Sequence, residues 1–242
     1  MLLRAGVFRR GHRDDGGRAI AVALSWSGGK DSALALWELR ERHREEPVAL
    51  LTTFTEDFDR VSMHAVRRSL LRAQAEAAGV PLVEVDIPNA CVNEVYEARM
   101  AAALSSPPLD SVRTMAFADL FLEDIRAYRE QKLALGGWKG VFPLWGRDTR
   151  ELAYEFIDAG FEAVLVCVDP AQLDPSFVGR PFDASLLADL PDSVDPCGEH
   201  GEFHTFVHCG PIFSSAIPIE LGETVMRDGF AFADVLPARA IA

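Results

Sequence analysis

Lysine is almost missing from this sequence. Of its 24 basic residues only Lys30, Lys132 and Lys139 are lysines, and acidic residues exceed basic ones enough to leave a formal charge of −13. Nucleic acid is bound by clustered positive charge, so this balance speaks against DNA or RNA as a partner. The local run Arg67, Arg68 and Arg72 reads as a solvated helix face. No apolar run approaches the ~18 residues of a membrane span, so no membrane association is expected. The segment 1–18 mixes Arg, Gly and Asp and has no apolar stretch of signal-peptide type; it reads as a flexible extension. Cys91, Cys167, Cys197 and Cys209 are scattered, with no C-x-x-C pair. That excludes a disulfide framework as the basis of the fold and points to a reducing cytoplasm. Internal repeats and low-complexity stretches are also missing.

What is present is an alternation of strand and helix patterns. Ala19 to Trp26 is a continuous apolar run of strand length, the kind that is buried on both faces of a parallel sheet. Asp31 to Glu45 follows with helical spacing and is stopped by Pro47. Strands are predicted over Pro47–Phe54, Leu82–Ile87, Val112–Phe117, Val141–Trp145 and Ala163–Val168. Helices are predicted over Ser62–Ala78 (capped by Gly79), Val92–Leu104, Phe121–Leu135 and Thr149–Ala159. The expected fold is therefore α/β: a doubly wound, mostly parallel sheet with helices on both faces. After Asp169 the pattern breaks. A helix near Asp183–Leu190 and strands over His204–Val207 and Phe230–Val235 suggest a smaller C-terminal α+β domain. The expected division is 19–145 for nucleotide binding and 146–242 for substrate, with the boundary somewhere in 140–170.

The most informative segment is Ser27-Gly28-Gly29-Lys30-Asp31-Ser32, between the first buried strand and a helix start. Two glycines allow a tight turn and close approach to an anion. Amides at a helix start, with the helix dipole behind them, suit phosphate. Ser27 and Ser32 add hydroxyl donors, and Lys30 a cation. Asp31 would repel phosphate unless it caps the helix or holds Mg²⁺. The spacing is not the G-x-x-x-x-G-K-[ST] loop of kinases and GTPases.

The loop resembles, position for position, that of the PP-loop ATP pyrophosphatases, which cut ATP between its α- and β-phosphates. The likeness continues through Ser62-Met63-His64, Gln74-Ala75-Glu76, Ala116-Phe117-Ala118-Asp119, Asp124-Ile125-Arg126 and Phe142-Pro143-Leu144-Trp145. With Asp195-Pro196-Cys197-Gly198-Glu199-His200-Gly201-Glu202-Phe203-His204-Thr205-Phe206 and Gly210-Pro211-x-Phe213, the chain resembles the diphthine–ammonia ligase family. That resemblance implies an AMP-forming ligase. A carboxylate acceptor, on a small molecule or a protein side chain, attacks the α-phosphorus; pyrophosphate leaves, and ammonia displaces AMP. ATP and Mg²⁺ are the implied cofactors. The sequence departs from the family pattern at Ala118, where Gly is usual, and at Cys209, where Asp often stands.

Residue by residue, Thr52, Thr53 and Phe54 end a strand, where open α/β sheets bind ligands; Thr53 and Phe54 are candidates to line the adenine or ribose pocket. Asp119 also follows a strand end and is a candidate for Mg²⁺ or a substrate amine, or a simple helix cap. Arg147 is a candidate phosphate or carboxylate clamp. Glu199, Glu202 and His204 are the candidates for acceptor or ammonium contact. Glu202 and His204 share one face of an extended strand, where they would bind ammonium, orient a carboxylate or shuttle a proton. Cys197, His200, His204 and Cys209 are zinc-type ligands, but their spacing is irregular and the resemblance calls for no zinc. Two other functions remain in view: a PP-loop tRNA-modifying enzyme and a nucleotide-sensing module without turnover. The oligomeric state is open, a homodimer included.

Overall fold

The computed structural model describes residues 21–57, 60–61 and 66–238. The extension expected over 1–18 and the Ser62-Met63-His64 motif lie outside these residues.

Val22–Ser25 (β1) runs straight into the glycine turn and then into Lys30–Glu38 (α1), which continues as one wider turn over Leu39–His43. Ala49–Thr55 (β2) follows, then the two-residue strand Arg60–Val61 (β3), Arg68–Ala78 (α2) and Leu82–Ile87 (β4). Gly79 ends α2 in the left-handed conformation, with φ 70°, as the sequence suggests. Asn93–Leu104 (α3), Thr114–Ala116 (β5), Glu123–Leu135 (α4) and Lys139–Val141 (β6) complete the first half. Residues 142–145, expected to be strand, form a turn after β6. Helix α2 is shorter than predicted because β3 pairs back on β2 and a bridge joins Arg60 to Arg67.

The parallel strands lie in the order β4-β2-β1-β5-β6. Successive strands run outward from β1 on both sides, so the order reverses between β1 and β5. This switch point opens a crevice at the carboxyl ends of the strands, where open α/β sheets hold their ligands. The glycine turn after β1 and the Ala118-Asp119 segment after β5 both sit at that crevice.

Thr149–Asp158 (α5) leads to a second, antiparallel sheet. Its strands are Glu162–Val168 (β7), Phe203–Cys209 (β8), Ile219–Arg227 (β9) and Phe230–Pro237 (β10), in the order β8-β7-β10-β9. Ala184–Asp189 (α6) lies between β7 and β8. Strand β9 went unpredicted: it is an edge strand exposed along its length, so burial imposes no apolar pattern on it. Asp228-Gly229, both at positive φ, make the tight turn to β10.

The two sheets share a hydrophobic core. Leu24, Leu34 and Leu71 from the first half belong to the same buried cluster as Phe156, Phe203, Phe206 and Val235 from the second. The opposite face of the parallel sheet is more thinly covered. Its cluster centres on Ala23, Met115 and Trp138, and neither α3 nor α4 contains a buried residue. Among the described residues, no helix is long and apolar enough to cross a membrane.

Candidate active site

The backbone of the glycine turn is held from outside its own strand and helix. Gly28 has φ +79°, and a Cβ there would lie 2.7 Å from the Gln74 Oε1 and 2.8 Å from a Leu71 methyl. Ser27 Oγ lies 3.3 Å from Ser32 Oγ, and Ser32 Oγ donates to the Gly29 carbonyl at 2.9 Å. Strand β8 lies directly against the turn. The Val207 amide donates to the Gly28 carbonyl at 3.0 Å, and the Lys30 amide donates to Thr205 Oγ1 at 3.0 Å. Thr205 thus caps α1 from 175 residues further along the chain. The next amides, of Asp31 and Ser32, belong to the first turn and have no intrahelical acceptor.

These groups open onto a cleft of about 470 Å³. It is lined by Ser27 and Gly29–Ser32 of the turn, by Thr52 and Thr53 of β2, by Ala118 and Asp119 after β5, and by Cys197–Glu199, Gly201 and Phe203–Thr205 before and within β8. A larger but shallow depression, about 810 Å³, surrounds Trp37 and Tyr154 on the surface of α5. It touches neither the turn nor the switch point, so the site is placed in the deeper cleft.

Of the residues singled out from sequence, Ser27, Gly29, Lys30, Asp31, Ser32, Thr53, Asp119, Glu199 and His204 line the cleft together. Lys30 does so in an unexpected way. Its side chain is buried, and Nζ donates to both carboxylate oxygens of Asp31 at 2.8 Å and to the carbonyl of Cys197. The Phe182 and Phe203 rings lie 5.9 and 5.6 Å from it. Burial works against the charge, but Asp31 beside it prevails and holds the ammonium pKa above its ordinary value. Lys30 therefore lines the cleft as a buried tie between the turn and the C-terminal segment, its charge paired with Asp31.

Asp119 is ion-paired with Arg129 at 2.8 Å, and the Arg129 guanidinium lies 4.4 Å over Phe117. Glu199 Oε1 accepts from the Leu120 amide at 2.8 Å. Burial raises the Glu199 pKa to about 7; the Leu120 bond opposes the shift, and Asp31 and Asp119 add to it. His204 is pushed down to about 4, chiefly by burial and also by Lys30, so its imidazole is neutral through the physiological range.

Four expected site residues do not line the cleft, and one of them, Gly28, faces Gln74 and Leu71 instead. Glu202 is 1% exposed, and its two carboxylate oxygens accept from the amides of Asp195 and His200, each at 2.9 Å. It stands one residue before β8 and closes the loop 195–202 from inside. Alternation along a strand put it on the His204 face, but Glu202 lies in the bend before β8 begins at Phe203, where strand alternation does not hold. Glu202→Gln would set an amide N–H₂ against a backbone N–H. A loss of about 2 kcal/mol and a fall in Tm of roughly 4–8 °C are expected, with ATP affinity little changed; thermal unfolding and calorimetric titration would check both. Phe54 is fully buried and lies under the Arg68 guanidinium, 4.3 Å away, so its role is packing. Arg147 pairs with Glu155 and sits 3.7 Å from Glu38, where it ties α5 to α1.

Other residues, not singled out as site residues, organise the cleft. Asp195 Oδ1 accepts from the Cys197 and Glu199 amides at 2.8 and 3.3 Å, and Oδ2 accepts from the Thr149 hydroxyl at 2.7 Å. Gln74 and Thr205 hold the glycine turn itself. Gln74 carried a readable signal: it is a polar residue on the stripe Leu70, Leu71, Ala75 and Ala78 that α2 buries.

The sequence model of the diphthamide synthase N-terminal domain matches residues 20–131, and that of the diphthamide synthase C-terminal domain matches residues 148–236. The chain belongs to the diphthamide synthase family. The N-terminal match takes in the glycine turn and the carboxyl ends of β2 and β5; the C-terminal match takes in the whole 195–205 segment. Among curated relatives, a Bos taurus protein named diphthine–ammonia ligase is 34% identical over 97 residues, covering 38% of this chain and 36% of its own length. A Schizosaccharomyces pombe protein of the same name is 25% identical over 221 residues, or 82% of this chain and 36% of its own. The Homo sapiens protein of that name is 33% identical over 97 residues, 38% of this chain and 36% of its own. The matches thus span about a third of the length of these relatives.

Proposed function

We propose that this protein is an AMP-forming ligase: it binds ATP at the glycine turn, transfers the adenylyl group to a carboxylate, and converts the activated carboxyl to an amide with ammonia. The observation that carries this reading is the meeting, in one cleft, of the glycine turn and its helix-start amides with Asp31, Asp119 and Glu199. A nucleotide sensor needs only the turn. The names of the family and its relatives point to a diphthine-type carboxylate as acceptor.

In this reading the amides of Gly29, Asp31 and Ser32, with the hydroxyls of Ser27 and Ser32, receive the phosphates. Thr53 borders the adenosine. An acceptor oxygen attacks the α-phosphorus, the α–β bridging bond breaks, and pyrophosphate leaves. Ammonia nitrogen then forms a bond to the acyl carbon, and the acyl–oxygen bond to AMP breaks. Ammonia exists mostly as ammonium at neutral pH, and the cation must lose a proton before it can attack. Lys30 and Arg129 are already paired with Asp31 and Asp119, so Glu199 is the carboxylate placed to hold ammonium and take that proton. Neutral His204 helps to orient the acceptor.

No cluster of three metal ligands occurs among the described residues. Mg²⁺ is usually carried by phosphates and water with one or two carboxylates from the protein, and Asp31 lines the cleft with its side chain 30% exposed. Asp31 would hold it, and when bound it would neutralise phosphate charge.

Product analysis tests this reading. With Mg·ATP, ammonium and a diphthine-bearing acceptor, AMP and pyrophosphate should appear in equal amounts, and only when all three are present. Release of ADP would overturn it, and ATP binding without turnover under every condition would favour a nucleotide sensor.

A further inference from the structure

Gln74 is fully buried within the apolar face of α2, and Trp26, Gly28 and Val207, to which its side chain hydrogen-bonds, all lie outside that helix. Its Oε1 accepts from the Trp26 indole at 3.0 Å. Its Nε2 donates to the Gly28 carbonyl at 3.0 Å and to the Val207 carbonyl at 2.6 Å. Indole N–H can only donate and carbonyls can only accept, so the three bonds fix which end of the amide is oxygen.

The target of Nε2 gives this arrangement its meaning. The peptide between Gly28 and Gly29 is flanked by two glycines, so a flip of its plane meets little steric resistance. Something must hold it. The Gly28 carbonyl receives two bonds, from Gln74 Nε2 and from the Val207 amide, both at 3.0 Å. In a trans peptide the C=O and N–H point in opposite directions. Holding the carbonyl toward α2 and β8 therefore turns the Gly29 N–H away from them. The Gly29 N–H meets Ser27 Oγ, of a residue that lines the cleft, at 3.3 Å, the long end of hydrogen bonding.

We infer that Gln74 is a positioning residue of the ligase: it locks the Gly28–Gly29 peptide so that the Gly29 N–H presents itself to the phosphates of the nucleotide. The inference rests on the reading of the turn as the phosphate site. It assigns Gln74 no contact with ATP. Its effect passes through the peptide plane, so it should be felt by the pyrophosphate part of the ligand and not by adenosine.

Calorimetric titration of the full chain with inorganic pyrophosphate, and separately with adenosine, tests this in Gln74→Met and Gln74→Glu. Methionine fills the same volume without donors; glutamate keeps the acceptor but loses both donors. Pyrophosphate affinity should fall at least about ten-fold in both, the scale of one or two lost buried hydrogen bonds. Adenosine affinity should stay within about two-fold, and KM for ATP should rise more than kcat falls. Should the buried carboxylate prevent folding, Gln74→Met alone gives the answer. Undiminished pyrophosphate affinity in a folded variant, or an equal loss for both ligands, would overturn the inference. An unaltered protein that binds adenosine but not pyrophosphate would instead sink the phosphate-site reading, and the inference with it.

Discussion

Gly28→Val should lower ATP affinity by more than about a hundred-fold while the protein still folds. Two penalties combine. A β-branched residue at φ +79° sits where L side chains are strained by roughly 1–3 kcal/mol. Its Cβ would also meet the Gln74 amide at 2.7 Å and Leu71 at 2.8 Å. Both neighbours are buried and neither can swing into solvent. The turn must move, and the anion-binding amides move with it. Gly79→Ala separates the two effects. Gly79 has φ +70°, but nothing lies within 4 Å of the added carbon. That variant should lose about 1 kcal/mol of stability and bind ATP normally. Normal ATP binding by a folded Gly28→Val protein would mean that the nucleotide lies elsewhere.

Glu199→Gln should reduce kcat with ammonium by roughly a hundred-fold or more, the usual contribution of a positioned proton acceptor. The pH profile is the sharper readout. Glu199 accepts a proton only as the carboxylate, and its pKa is raised to about 7, chiefly by burial. In the unaltered protein, kcat/KM for ammonium should therefore climb as pH rises through about 7 and level off above it. In the variant that inflection should vanish, with ATP affinity preserved. A glutamine variant that keeps both rate and inflection would remove Glu199 from the proton path. His204, neutral above about pH 4, should add no inflection of its own near neutrality.

Local sequence carried much of the framework. The buried apolar runs that became β1, β2 and β7 were readable because a strand covered on both faces has no polar positions. The turn Ser27–Ser32 was readable because glycine freedom and a following helix are local properties. Edge strand β9 was not, since an exposed edge imposes no pattern. Nor was the role of Glu202, because strand alternation says nothing about a residue standing just before the strand.

By itself, then, the sequence determined the parallel α/β framework, the place of the glycine turn between strand and helix, and the family likeness of the 195–206 segment. The tertiary structure alone decided which groups face the cleft. It turned Lys30 inward to Asp31 and Cys197, withdrew Arg147 and Phe54 into packing, and brought Thr205 and Gln74 onto the turn from distant elements. The physical reason is burial: hydrogen-bonding groups out of reach of water must find partners wherever the fold brings them, whatever the distance along the chain.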